Sequence, residues 1–353
     1  MRWLARSRRT PIGLDVGARS LKAVQLRGAP GAWRIEAAAA ICRTECGPEV
    51  CSRDVQRLCD VLYRQGFTGQ QVVLAVPHEK LVAEVLELPS RGSGAPLDQI
   101  ARMELARTHR KDPESFEMSL WDLPAPARAH ETTSVMTAAC SHADADAILD
   151  CFEGYGLDVL ALDVQAWALA RACAPLLAGS QGIEAIFDIG WTAARLVLLH
   201  DDVVIYERTM KDAGLQTLHQ ALSGRFDLDD DAADHVLTRI GLAPNTTDQQ
   251  GHPQPLADIS SVITPHVDVL VRELKMSLSY AAHRYPDAEC KRLFLVGGGS
   301  AIPKLADYLT AALGVPVEIP CHADMAECNT AVPAICSTAL LTTAIGLAQY
   351  LER

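Results

Sequence analysis

The sequence predicts an α/β fold made of two related halves that face one another across a cleft suited to phosphates. Three observations predict it. First, Ile12 to Leu26 and Ala185 to Leu199 repeat one pattern: a buried strand, an Asp-x-Gly turn (Asp15-Val16-Gly17 and Asp188-Ile189-Gly190) and a second strand. Second, each copy is followed by a third candidate strand, Trp33 to Ala39 and Val203 to Arg208, so each half opens on an antiparallel meander. Third, the buried strand Lys291 to Val296 runs into the turn Gly297-Gly298-Gly299. Repetition roughly half a chain apart points to a duplicated domain, and 353 residues suffice for two.

Between the two copies, Ser52 to Gln65 reads as a helix and Gln71 to Val76 as an apolar strand closed by Pro77. A helix over Leu97 to Thr108 leads into a charged, proline-interrupted stretch reaching Pro126. A strand (Ser134 to Ala139), a helix (Ala143 to Tyr155), a short strand (Asp158 to Leu162) and a closing helix (Val164 to Leu177) complete the half. Pro89, Gly92, Gly94 and Pro96 punctuate the entry to residues 89–161, which are expected to form a small inserted α/β module. The expected domains are a basic tail over 1–10, a first domain over 11–178 carrying that insert, and a second over 179–353. In the second half a helix follows Gly214, a polar loop spans Pro244 to Pro255, and a long helix covers Ile259 to Arg284. Another helix is expected to begin at Ile302-Pro303, since proline suits a first helical turn, and a helix rich in Ala and Thr ends the chain.

Composition narrows the function. With 49% apolar residues the chain can bury large cores, which argues against disorder. A formal charge of -12 with no basic stripe excludes nucleic acid as a partner and fits proteins or a metal-bound nucleotide. Eleven cysteines are an odd number, and the start lacks the apolar run of a signal peptide, so reduced thiols are expected. Neither Cys42, Cys46, Cys51 and Cys59 nor Cys321, His322 and Cys328 show the C-x-x-C pairing of a zinc site. No stretch reaches the roughly 18 apolar residues of a spanning helix. The best candidate, Ile335 to Ala348, is broken by Ser337, Thr338, Thr342, Thr343 and Gly346.

An Asp-x-Gly turn between strands brings backbone N–H groups close to a ligand, and its carboxylate can hold a hydrated Mg²⁺ beside phosphates. One such turn also occurs in ordinary hairpins; two in the same context, with a third glycine turn, point to a nucleotide. Taken together, Ile12 to Leu26, Gln71 to Pro77, Leu162 to Arg171, Phe187 to Gly190, Gly214 before a helix, Arg272 to Ser277 and Leu295 to Ser300 resemble the actin-like ATPase superfamily. More narrowly, they resemble the FtsA-related PilM family of type IV pilus assembly proteins over nearly the whole chain.

The resemblance implies duplicated actin-like (ribonuclease H-like) domains flanking a cleft for ATP and Mg²⁺. It implies a first phosphate turn from Asp15, Gly17, Ala18, Arg19 and Ser20, with Lys22 near the phosphates, and a second from Asp188, Gly190, Trp191 and Thr192. Asp15 and Asp188 would hold the metal. Asp163, at the hinge, would join them as the third catalytic acidic group, orienting water or Mg²⁺. Gly214, then Glu273, Lys275 and Ser277 of one helix, and Gly297, Gly298 and Gly299 complete the implied nucleotide-binding set. The implied function is a cytoplasmic scaffold at the inner face of the inner membrane. Its insert and first half would receive the short cytoplasmic peptide of a PilN-like membrane protein. Other pilus or secretion platform proteins are further expected partners, and self-association stays open.

Three positions and one segment depart from the family pattern. Trp191 stands where a small residue usually meets the phosphates, Arg195 where a smaller or polar one is common, and Gln165 where a carboxylate is usual. The segment Arg107 to Pro113 differs from the usual Glu-rich helix end. ATP binding is therefore expected ahead of efficient hydrolysis. The alternatives are a nucleotide-free scaffold, as in type II secretion platforms, a small-molecule kinase with Asp163 or His78 as base, and a filament former.

Overall fold

The computed structural model describes residues 8–47, 49–124, 132–242, 256–328 and 338–351. The loop expected from Pro244 to Pro255 and most of the basic tail lie outside them. The chain runs β1 (Arg8–Arg9), β2 (Ile12–Val16), β3 (Ser20–Ala29), β4 (Ala32–Cys42), α1 (Ser52–Arg64) and β5 (Gln71–Ala75). β6 (Leu81–Pro89), α2 (Leu97–His109), β7 (Phe116–Asp122) and β8 (Thr132–Ser141) follow, then α3 (His142–Glu153), β9 (Asp158–Asp163) and α4 (Gln165–Leu177). The second half comprises β10 (Ile183–Ile189), β11 (Ala194–His200), β12 (Val203–Met210), α5 (Leu215–Phe226), α6 (Asp230–His235), α7 (Leu256–Arg284) and β13 (Cys290–Gly297). It ends in α8 (Leu305–Leu313), β14 (Val317–Glu318), α9 (His322–Met325), β15 (Glu327–Cys328) and α10 (Thr342–Ala348).

The duplication extends to the hydrogen bonding. One sheet contains the run β4-β3-β2-β5 and the other the run β12-β11-β10-β13. In both, the first strand pairs antiparallel with its hairpin partner and parallel with the strand on its other side. Register is matched too: Asp15 lies opposite Lys22, and Asp188 opposite Arg195. All seven residues of β10 are buried, as expected of a strand covered on both faces.

Both expected edges of the insert differ from the structure. The inserted module is a third sheet, β6-β8-β7, which starts at Leu81 because β6 pairs with β8 along its whole length. It ends at Ser141: β9 pairs with β5, and Phe152 and Leu157 join the core around Leu14 and Leu58 of the first half. β7 lay hidden in the charged stretch, yet Phe116, Met118 and Leu120 alternate onto the face covered by α2.

The second half likewise does not keep the end of the chain. β15 pairs with β4 of the first sheet, and α10 packs between β2 and α4. Glycines permit that close approach. A Cβ on Gly13 would sit 2.1 Å from the Ala344 carbonyl oxygen, and one on Gly346 would sit 1.7 Å from that of Ala168. One core runs from Val24 and Ile35 through Leu169 of α4 and Ile345 of α10 to Ile186 and Val197 of the second sheet. α4 and α10 thus form the layer on which the two halves meet. α8 starts later than expected, because Lys304 is left-handed at φ 66° and the Pro303 carbonyl accepts the Leu242 N–H.

Candidate functional site

A cavity of about 370 Å³ opens between the halves, at the carboxyl ends of β2, β5, β10 and β13. Ligands of open α/β sheets collect at such strand ends. It is lined by Asp15, Gly17, Ala18, Arg19, Ser20 and Lys22 from the first turn, by Asp188, Gly190, Trp191 and Thr192 from the second, and by Gly297 and Gly298. The structure therefore brings both expected phosphate turns and part of the third onto one surface.

Charge is concentrated at its floor. Lys22 donates to Asp15 at 2.8 Å. Burial works against that ammonium, but Asp15 and then Asp188 outweigh it and hold its pKa above the ordinary lysine value. Burial, with Asp15 nearby, pushes the Asp188 carboxyl up from 3.8 to about 6. Gln165 donates its amide to Asp188 at 2.8 Å, so the residue read as a missing carboxylate serves as a carboxylate's partner. Gly297 has φ +75°, and a Cβ there would fall 2.0 Å from Asp188 Oδ1, so only glycine admits this carboxylate. Arg195 lines the wall but is held by an ion pair to Glu207.

The second turn is held from behind by α5. Leu215 N–H donates to the Gly190 carbonyl at 3.0 Å and Gln216 N–H to that of Trp191 at 2.8 Å. A Cβ on Gly214 would lie 2.3 Å from the Trp191 carbonyl oxygen, so Gly214 supports the turn without lining the cavity. Trp191 neither fills the cavity nor leaves it. Its ring carries the Arg19 guanidinium at 4.2 Å on one side and meets His219 at 5.2 Å on another. Arg19 forks onto Asp234 of α6 at 2.7 and 2.6 Å, closing a bridge from the first half to the second over the cavity wall.

Several expected site residues lie elsewhere. Asp163 accepts the Val164 N–H at 2.8 Å and pairs with Arg171, whose Nε donates to the Gly346 carbonyl; it ties the hinge and does not line the cavity. Glu273 pairs with Arg208 at 2.5 Å, Ser277 faces the Tyr206 hydroxyl at 3.3 Å, and Lys275 is exposed. That segment of α7 packs along β12, and the far wall of the cavity comes instead from Leu215, Asp234, Leu237, Thr238 and Ile302. Gly299 is buried against Ile189. His78, one of the bases considered, does line the wall, and burial holds its pKa below the ordinary histidine value.

The residues present fit a nucleotide with a divalent cation. Two carboxylates share the floor with one ammonium, and the pKa of Asp188 is raised first by burial and then by the Asp15 charge, both of which a bound cation would offset. No cluster of three or more His, Cys, Asp or Glu side chains that could hold a metal occurs among the described residues. Phosphate oxygens and water would therefore complete any Mg²⁺ shell, as that ion prefers.

Comparison with known proteins agrees with the fold. The solved PilM–PilN type IV pilus biogenesis complex is similar at TM-score 0.76 and 22% identity, over 96% of this chain and 97% of that one. The ethanolamine utilization protein EutJ from Carboxydothermus hydrogenoformans matches at TM-score 0.55 and 14% identity, over 97% and 89%. MreB 5 of Spiroplasma citri, solved with AMPPNP, matches at 0.51 and 12%, over 95% and 93%. The α/β architecture is thus the actin-like one, with its domain duplicated. The model of the type IV pilus assembly protein PilM matches residues 13–350. A match of that extent means that the chain belongs to the PilM family of type IV pilus assembly proteins.

Proposed function

We propose that the chain is an ATP-binding cytoplasmic scaffold of pilus assembly that holds the short cytoplasmic tail of a PilN-like inner-membrane protein. The observation that carries the nucleotide part is the convergence of Asp15, Lys22 and Asp188 with both Asp-x-Gly turns on one cavity. Backbone N–H groups of the turns would face the phosphates, and Asp15 and Asp188 would hold Mg²⁺ through its water shell. The MreB 5 relative, solved with AMPPNP and with ADP, supports that reading. The partner part is supported by family membership and by the relative solved as a PilM–PilN complex.

No helix among the described residues is long and apolar enough to cross a membrane, so the tail would supply the membrane attachment. The insert is braced on the second half through Arg284 of α7, which reaches Glu87 and Ser134, and on the layer joining the halves through Trp121, which meets Trp167 of α4 at 3.9 Å. Occupancy of a groove on the insert and of the cleft would thereby bear on one hinge. A second reading, a nucleotide-free scaffold, is favoured by the Arg19–Asp234 bridge and by Trp191, which take up one wall.

Titration with a fluorescent ATP analogue separates the two. Saturable binding is expected only with Mg²⁺, and Asp15→Ala should weaken it tenfold or more. No binding to the intact protein would overturn the nucleotide reading and leave the scaffold.

A further inference from the structure

We infer that Arg43, a buried residue outside the cavity, positions the first phosphate turn by aiming the N–H groups of Ala18 and Arg19 at a polyphosphate chain. The inference rests on the nucleotide reading for its ligand, but on geometry of its own. Arg43 Nη1 donates to the carbonyl oxygens of Gly17 at 3.2 Å and Ala18 at 3.3 Å. The Arg43 backbone N–H donates to the Arg19 carbonyl at 2.9 Å, and the Gly47 N–H to that of Ala18 at 3.1 Å. All three carbonyls of residues 17, 18 and 19 are thus engaged on the side of β4 and the loop after it. In a trans peptide unit the N–H points opposite to the C=O. Arg43 does not line the cavity, although Gly47 beside it does. Turning the Gly17 and Ala18 carbonyls toward the arginine leaves the next two N–H groups on the opposite side of the turn, which we take as the side offered to the polyphosphate.

The arginine is itself fixed. Its side chain is 1% exposed and that of its partner Asp54 is 0% exposed, with Nε to Oδ2 at 3.3 Å. Asp54 also accepts the Thr44 N–H at 2.8 Å and its hydroxyl at 2.9 Å, while Arg43 reaches the Gly47 and Glu49 carbonyls. A buried pair with every arm hydrogen-bonded holds one geometry. A planar guanidinium can serve the carboxylate and several carbonyls at once, which a lysine ammonium cannot. Nothing in the sequence marks Arg43, since its role depends on where β4 ends.

The test compares the wild type with Arg43→Lys, and with Arg43→Met/Asp54→Asn, which removes both buried charges if the lysine variant fails to fold. Competition of ATP, ADP and adenosine against the fluorescent analogue is measured beside Tm. The expected result is a tenfold or larger loss for ATP and ADP, with adenosine unchanged and Tm within a few degrees. Equal losses for all three ligands that track Tm would overturn the inference, because a merely structural residue acts that way. Amide hydrogen exchange at residues 17–20 of the ligand-free protein reads the turn without nucleotide. Unchanged exchange in both variants would overturn the inference whatever binds. Altered exchange in the variants, with a wild type that binds no ATP, would keep the positioning role and overturn the nucleotide reading instead.

Discussion

Gly346→Ala is expected to destabilise the protein by more than about 3 kcal/mol, the upper end of overpacking effects. Local propensity alone predicts the opposite sign, since alanine in a helix interior gains about 1 kcal/mol over glycine. Tertiary contact decides it. The new methyl carbon would lie 1.7 Å from the Ala168 carbonyl oxygen and 2.4 Å from its carbonyl carbon, both backbone atoms that no rotamer change can move. Nor can α10 retreat, because on its other side Gly13 of β2 already leaves no room: a Cβ there would sit 2.3 Å from the Ala348 nitrogen. The layer joining the halves would have to part. Gly224→Ala in α5 is the control, with no atom within 4 Å of its new carbon, and should be neutral or mildly stabilising. Denaturant midpoints for the two variants check the prediction, and a Gly346→Ala midpoint at or above wild type would contradict it.

Asp188→Asn is expected to stabilise the ligand-free protein while weakening Mg-nucleotide binding at least tenfold. Burial pushes the Asp188 carboxyl from 3.8 to about 6, so between those values the folded protein holds a proton that the unfolded chain has lost. Stability from this group is therefore full below about pH 4 and is lost as pH rises through about 6. Asparagine removes the penalty and keeps an oxygen for Gln165. The gain at pH 7 is of order 1–3 kcal/mol, a few degrees in Tm, and it should vanish near pH 4. Melting curves at both pH values check the sign; a lower Tm at pH 7, or a gain independent of pH, would contradict it. A site that is less stable for having its charge is what a cation-binding function leads one to expect.

The parts of the fold legible in the sequence were those written in local pattern. The two meanders, the helix after Gly214 and the turns at Asp15 and Asp188 all follow from strand periodicity and glycine placement, and the structure sets them in matched registers. The sequence places the insert's entry at Pro89 rather than Leu81 because Leu81 to Pro89 carries no break from the strand before it beyond Pro77, while Pro89 to Pro96 carries several. The cavity lining was legible where its residues are neighbours along the chain and not where they meet through space. Arg19 and Asp234 are 215 positions apart, and no periodicity links them. The resemblance implied Glu273, Lys275 and Ser277 as nucleotide-binding residues, but a motif does not say which neighbour a helix face meets, and Glu273 and Ser277 meet β12. Gln165 lacks the carboxylate usual at its position, yet its amide donates to Asp188.

The proposed scaffold holds a membrane protein's tail under nucleotide control. Fluorescence anisotropy of a labelled peptide, spanning the cytoplasmic N-terminal tail of a PilN-like protein, tests it most directly. Binding is expected, and it should tighten severalfold when Mg-ATP is present and lose that dependence in Asp15→Ala. No binding of the tail with or without nucleotide would contradict the account.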